Sequence, residues 1–102
     1  MKTRLEIQYI FEEILGSENV YFQSPGSNKM KYPCILYGIG AGIRTPADNT
    51  KYLYNQGYEV TYITKDPEDR TVQDKLLDLK YASFERMYVT EGLYHWVYFI
   101  YF

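Results

Sequence analysis

The chain predicts an α+β fold, in the order α-β-β-α-β-β, with an antiparallel sheet covered by two helices. Three observations carry this prediction. A segment near the start spaces its apolar residues as a helix does, later segments alternate or run apolar over strand lengths, and a second helical stripe falls between two pairs of strands. At 102 residues the sequence reads as a single domain over 1–102, long enough to bury one core without a covalent staple.

In the first segment Ile7, Ile10, Phe11, Ile14 and Leu15 form one stripe of 3.6-residue period. Gly16 follows, where a left-handed residue commonly stops a helix. Glu6, Glu12 and Glu13 on the polar side argue against a helix lying on a membrane, which would carry a basic face. Asn19 to Phe22 reads as a short extended piece, and Ser24-Pro25-Gly26-Ser27-Asn28 is a run of breakers. Tyr32 to Ile39 is a strand. Ile35 and Tyr37 alternate with Cys34 and Leu36, so both of its faces are apolar and it is buried. Gly38, Gly40 and Gly42, then Pro46, Asp48 and Asn49, mark a long connection. Alternation returns from Tyr52 to Lys65, with Tyr58, Val60 and Tyr62 on one face and Glu59, Thr61 and Ile63 on the other. These two strands pair antiparallel.

Asp66-Pro67-Glu68-Asp69 reads as a helix start, with Asp66 as cap and Pro67 in the first turn. Val72, Leu76, Leu77 and Leu79 form the buried stripe of that helix. Ser83 to Thr90 is a strand with Phe84 and Tyr88 on one face, Glu91-Gly92 is a turn, and Leu93 to Phe102 is a last strand. Trp96 to Phe102 carries no charge, an aggregation hazard unless the strand is central or covered by another subunit.

Composition excludes several functions. Apolar residues at 46% and charged residues at 24% fit neither a disordered nor a membrane-spanning chain. A net charge of −2 argues against a general nucleic-acid binder, which needs a basic stripe to displace counterions. The acids Glu6, Glu12 and Glu13 interrupt any signal-peptide apolar region, and the single cysteine, Cys34, rules out an internal disulfide. Both point to a cytosolic origin. The 13 tyrosines are too many for one small core to bury with every hydroxyl paired, so some rings are expected at the surface or against another subunit.

No motif carries catalysis. His95 and Cys34 are each the only residue of their kind, so neither a zinc site nor a cofactor is expected, and Cys34 in an apolar strand reads as core rather than half of a Cys–His dyad. Gly38-Ile39-Gly40-Ala41-Gly42 has a dinucleotide-loop look, but Arg44-Thr45-Pro46-Ala47-Asp48-Asn49 follows where a phosphate-binding helix should open. Asp66, Glu68, Asp69, Asp74 and Asp78 read as a solvated helix face. Glu18 to Ser24 has the form of a viral-protease cleavage site, yet no polyhistidine run precedes it and an amphipathic helix does.

Asn19 to Tyr37 (NVYFQSPGSNKMKYPCILY) resembles a segment of small tail-completion proteins of siphophages and related prophages, also described as tail-terminator or minor capsid proteins. Downstream, Ala47-Asp48-Asn49 with Tyr52, Tyr58 to Ile63 before Asp66-Pro67, and Ser83 to Arg86 with Tyr88 and His95 resemble that family in the same order. The Gly38 to Gly42 stretch is the departure. The resemblance covers almost the whole chain and makes the cleavage-site look-alike native sequence.

The resemblance implies a non-enzymatic structural protein of the virion, made in the bacterial host cytoplasm. It would form a homo-oligomeric, hexameric ring at the head-proximal end of the tail. Its partners would be its own copies, the major tail tube protein and the head–tail connector or stopper protein, with DNA only in transit and no membrane. Candidate interface residues are Gly40, Arg44, Asp48 and Asn49 in the loop and Trp96, Tyr98 and Tyr101 near the end. The alternatives are another connector part such as a stopper or adaptor, a small nucleotide-binding protein using Gly38 to Gly42, and a host-directed inhibitor. Saturable nucleotide binding lost on Gly40→Val would mark the second of these.

Overall fold

Thr3 and Glu6 open the first helix by satisfying each other's backbone donors. In the computed structural model, which describes residues 3–22, 30–39, 57–68 and 70–102, the Thr3 hydroxyl accepts from the Glu6 N–H at 3.3 Å, and the Glu6 carboxylate accepts from the Thr3 N–H at 2.9 Å. This is a capping box. It starts α1, Arg4–Leu15. Gly16 stops the helix at φ 80°, its N–H donating to the Glu12 carbonyl at 2.8 Å, the left-handed C-terminal geometry that glycine adopts without strain.

Five strands follow in one sheet: β1 (Val20–Phe22), β2 (Cys34–Ile39), β3 (Gly57–Thr64), β4 (Ala82–Thr90) and β5 (Leu93–Tyr101), in spatial order β1-β2-β3-β5-β4. The antiparallel arrangement holds for β2–β3, β3–β5 and β5–β4. The short extended piece after α1 is a true strand and runs parallel to β2, with Val20, Tyr21 and Phe22 against Ile35, Leu36 and Tyr37. The sheet is therefore mixed, and residues of the cleavage-site look-alike are woven into it. Trp96 to Tyr101 lies in β5, between β3 and β4, the first of the two placements open to an uncharged strand.

The second helix, α2 (Thr71–Leu77), is shorter and starts later than Asp66-Pro67 predicts. Asp66 uses its carboxylate in a local turn, accepting from the Glu68 N–H at 3.0 Å, while its own N–H donates to the Thr64 hydroxyl. Arg70 occupies the cap position without a side-chain cap bond. Val72, Gln73 and Leu76 are the buried residues of α2, whereas Leu77 is exposed. The inward stripe passes through positions 72, 73 and 76, which rotates 77 toward solvent.

Both helices cover the same face of the sheet. Ile7 and Phe11 of α1 and Val72 and Leu76 of α2 pack with Ile35, Tyr37, Tyr58, Val60, Tyr62, Tyr98 and Ile100 in one buried cluster. Rings interlock there: Phe11 meets Tyr37 edge-on at 5.1 Å and Phe102 at 5.7 Å between centroids. Tyr37 is almost fully buried, and its hydroxyl donates to Gln8 Oε1 at 2.7 Å. The same Gln8 amide donates to the Val20 carbonyl and to Glu12, each at 3.0 Å. Tyr37, Tyr58, Tyr62, Tyr98 and Tyr101 are all buried within the chain, while Tyr9 and Tyr88 are exposed.

The opposite face is also apolar, with Cys34, Ile63, Val97, Phe99 and Tyr101 buried. Gly57 lies beneath two of these rings. A Cβ there would come within 2.8 Å of Tyr101 and 2.9 Å of Phe99. Gly57→Ala is therefore expected to destabilise by about 1–2 kcal/mol, since an extra methyl in a packed site must displace its neighbours. Denaturant titration measures this directly; an unchanged midpoint would show that the rings yield freely.

Candidate functional site

The residues that could carry function follow from what the sheet leaves uncovered. At the turn between β4 and β5, Glu91 (φ 54°) and Gly92 (φ 76°) both take left-handed conformations, as a two-residue hairpin loop of the I′ type requires. The ladder then runs from Thr90↔Leu93 back to Arg86↔Val97. Between Phe84 and Arg86 the register slips by one residue, which marks a β-bulge at Glu85. The bulge corrects the expected facing of β4. Phe84 pairs with Tyr98 on the helix-covered face, whereas Tyr88 pairs with His95 on the other.

β4 is an edge strand, and its large side chains are exposed on both faces. Phe84 is 48% exposed, Met87 43%, Tyr88 41% and Val89 52%. On the helix side Phe84 lies 6.3 Å from Trp96 and 5.6 Å from Tyr98 between centroids, and the Arg70 guanidinium sits 5.9 Å from the Trp96 ring. On the far side Tyr88 stacks on His95 at 4.6 Å, with the Arg86 guanidinium 5.8 Å from the Tyr88 ring. Arg86 also reaches Glu59 at 4.0 Å, across β5; both ends of that pair are half exposed, so it adds little stability. The result is an apolar and aromatic strip with a guanidinium on each face, along a backbone edge that no described element pairs.

The opposite edge differs. There the Val20 carbonyl is taken by the Gln8 amide of α1. A helix side chain thus occupies an acceptor that another strand would need.

Of the residues expected at an interface, Trp96 is partly buried beside the β4 strip, while Tyr98 and Tyr101 lie inside the chain. The central position of β5 buries them. Gly40, Arg44, Asp48 and Asn49, with the Gly40 to Gly42 part of the glycine-rich stretch, lie outside the described residues. Sequence reasoning does not place Phe84, Met87 or Val89 among the interface residues; the one signal for them is a strand rich in large side chains, and the strand order puts it at the edge.

Catalytic arrangements can be tested by register. Cys34 pairs with Ile63, and Ile63 with His95, so Cys34 and His95 sit two strand spacings apart, roughly 10 Å. That is too far for a dyad. His95 Nδ1 instead lies 3.1 Å from the Leu93 carbonyl. Among the described residues no group of three or more His, Cys, Asp or Glu side chains is placed to hold a metal ion, and no helix is long and apolar enough to cross a membrane. A shallow groove of about 420 Å³ runs between α1 and α2, lined by Ile10, Ile14, Leu79 and the charged Glu13, Lys75 and Asp78.

Burial sets the titration of the interior. It pushes the Cys34 thiol from 9.0 up to about 12 and the Tyr98 hydroxyl from 10.0 up to about 12, the latter opposed by Arg70. Tyr37 and Tyr58 are raised by burial too, with Arg4 pulling both back. Each group is neutral when protonated, so the fold holds these protons more tightly than the unfolded chain does. For Cys34 and Tyr98 the contribution to stability is complete below the ordinary values of 9.0 and 10.0 and is lost as pH rises through about 12; Tyr37 and Tyr58 act in the same direction. Thermal midpoints are therefore expected to fall steadily above about pH 9; a flat profile to about pH 11 would contradict the burial of these groups.

No protein-family model, curated protein or solved structure matches the chain.

Proposed function

We propose that this chain is a structural subunit without catalytic chemistry, completing a bacteriophage tail where the tail tube meets the head connector. One observation carries the reading. The β4 edge exposes Phe84, Met87, Tyr88 and Val89 along a strand backbone that no described element pairs, a surface suited to another protein and not to a small substrate. The motifs that resemble tail-completion proteins support it from the sequence side. Val20-Tyr21-Phe22 pairs as β1 with Ile35-Leu36-Tyr37 of β2, so the described ends of the quoted segment belong to the folded unit. In this reading copies form a hexameric ring, the tail tube and connector proteins are its neighbours, and DNA passes through the lumen.

Electron microscopy of the purified protein mixed with tail tubes tests this. Six-fold density at one tube end is the expected result. Tubes left bare, together with particles that assemble normally without the protein, would end the proposal.

A further inference from the structure

We propose that, in the free protein, the β4 edge pairs with the β4 edge of a second copy, antiparallel about a two-fold axis through Met87. The pairing belongs to the unassembled protein; it uses the same edge as the tail reading but does not require it.

The backbone supplies the first reason. With a two-residue loop, Thr90 and Leu93 close the hairpin as a hydrogen-bonded pair, and bonding alternates along an antiparallel ladder. Tyr88↔His95 and Arg86↔Val97 are then the bonded pairs, while Val89↔Tyr94 and Met87↔Trp96 are not. Met87 and Val89 therefore turn their N–H and C=O groups outward, away from β5. Among the described residues β4 is the sheet edge available for this, because α1 already occupies the Val20 carbonyl at the other edge.

Side-chain chemistry selects the register and the occupant. A two-fold axis normal to a sheet preserves its faces, so an antiparallel self-pair must centre on a residue. Centring on Arg86 sets two guanidinium groups against each other. Centring on Tyr88 brings Glu85 of each copy toward Glu91 of the other. Centring on Met87 avoids both, and places Arg86 of each copy opposite Tyr88 of the other. Arg86 already lies 5.8 Å from its own Tyr88 ring, so the cation has an aromatic face on both sides. On the helix side, Met87 meets its own copy, and Phe84 and Val89 of both chains join one apolar strip. The same short sequence thus answers itself in charge and in polarity at Arg86, Met87 and Tyr88. A pair of this kind closes at two, so in the free protein it occupies the edge that the proposed tail contacts use once the pair has come apart.

The test uses the full chain. Sedimentation at micromolar concentration should give twice 12.2 kDa. Met87→Cys should form a covalent two-chain species on oxidation, since a bonded antiparallel pair holds Cα atoms about 5.5 Å apart, within disulfide reach. Val89→Cys should not, because its position faces Glu85 of the other copy. Native Cys34 is fully buried and stays out of the reaction. Met87→Lys should give a monomer with an unchanged circular dichroism spectrum. Three results would overturn the proposal: a monomeric wild type, a larger species that Met87→Lys leaves intact, or cross-linking at Val89→Cys as readily as at Met87→Cys. A monomer that still docks on tail tubes would remove the self-pair and leave the tail reading standing; a Met87-centred dimer that never docks would do the reverse.

Discussion

Replacing Phe11 with alanine is expected to remove about 3–5 kcal/mol of stability, a large share of what a domain this size possesses. The ring is fully buried and touches Tyr37 and Phe102 edge-on. Its loss leaves a cavity between α1 and the sheet that neither can close: the Tyr37 hydroxyl is tied to Gln8, and the ends of α1 are fixed by the Thr3 box and by Gly16. Phe11→Leu should recover much of the loss. The shift in denaturant midpoint, with an unchanged slope, is the measurement. A cost below about 1 kcal/mol would mean that α1 is not seated as described.

Gln8→Met is expected to cost about 2–3 kcal/mol, although it removes no apolar surface. The side chain holds two groups at once, accepting from the Tyr37 hydroxyl and donating to the Val20 carbonyl. Without it the Val20 carbonyl loses its donor and the buried Tyr37 hydroxyl loses its acceptor, keeping only Arg4, and an unsatisfied buried group costs more than the bond was worth. A double-mutant cycle with Tyr37→Phe separates the two. The pair Gln8→Met with Tyr37→Phe should be less destabilised than the sum of the singles, by about 1 kcal/mol. Strict additivity would show that the bond contributes nothing. Exposing the Val20 carbonyl should also open the β1 edge, so self-association of Gln8→Met is a second readout.

Local rules were legible where local forces decide. The α1 stripe and its glycine stop were readable from spacing alone, and so was the helix-covered face of β3, Tyr58, Val60 and Tyr62; the burial of Thr61 and Ile63 on its other face was not. The lack of charge in β5 left two placements, central or covered by another subunit, and the strand order puts it between β3 and β4. What escaped depended on partners distant in sequence. Asp66 and Pro67 spell a helix start, but the carboxylate is drawn into a turn with Glu68. One extra residue at Glu85 reverses the facing of everything after it, and no local signal distinguishes a bulge from a regular strand. Tyr98 and Tyr101 look like contact residues by type; their position in the middle of the sheet makes them core. For the candidate site the consequence is direct. Aromatic content pointed to β5, but the exposed large side chains belong to its partner β4, and only the strand order shows which of the two lies at the edge.

The strand order also bears on synthesis. β5 follows both of its neighbours in sequence yet lies between them. While a ribosome is still translating residues before Leu93, β3 lacks its second partner and β4 has none. Half the sheet is then a pair of sticky ribbons awaiting one late insertion. Stalled or clipped products ending in this interval should be the ones that chaperones retain and proteases remove.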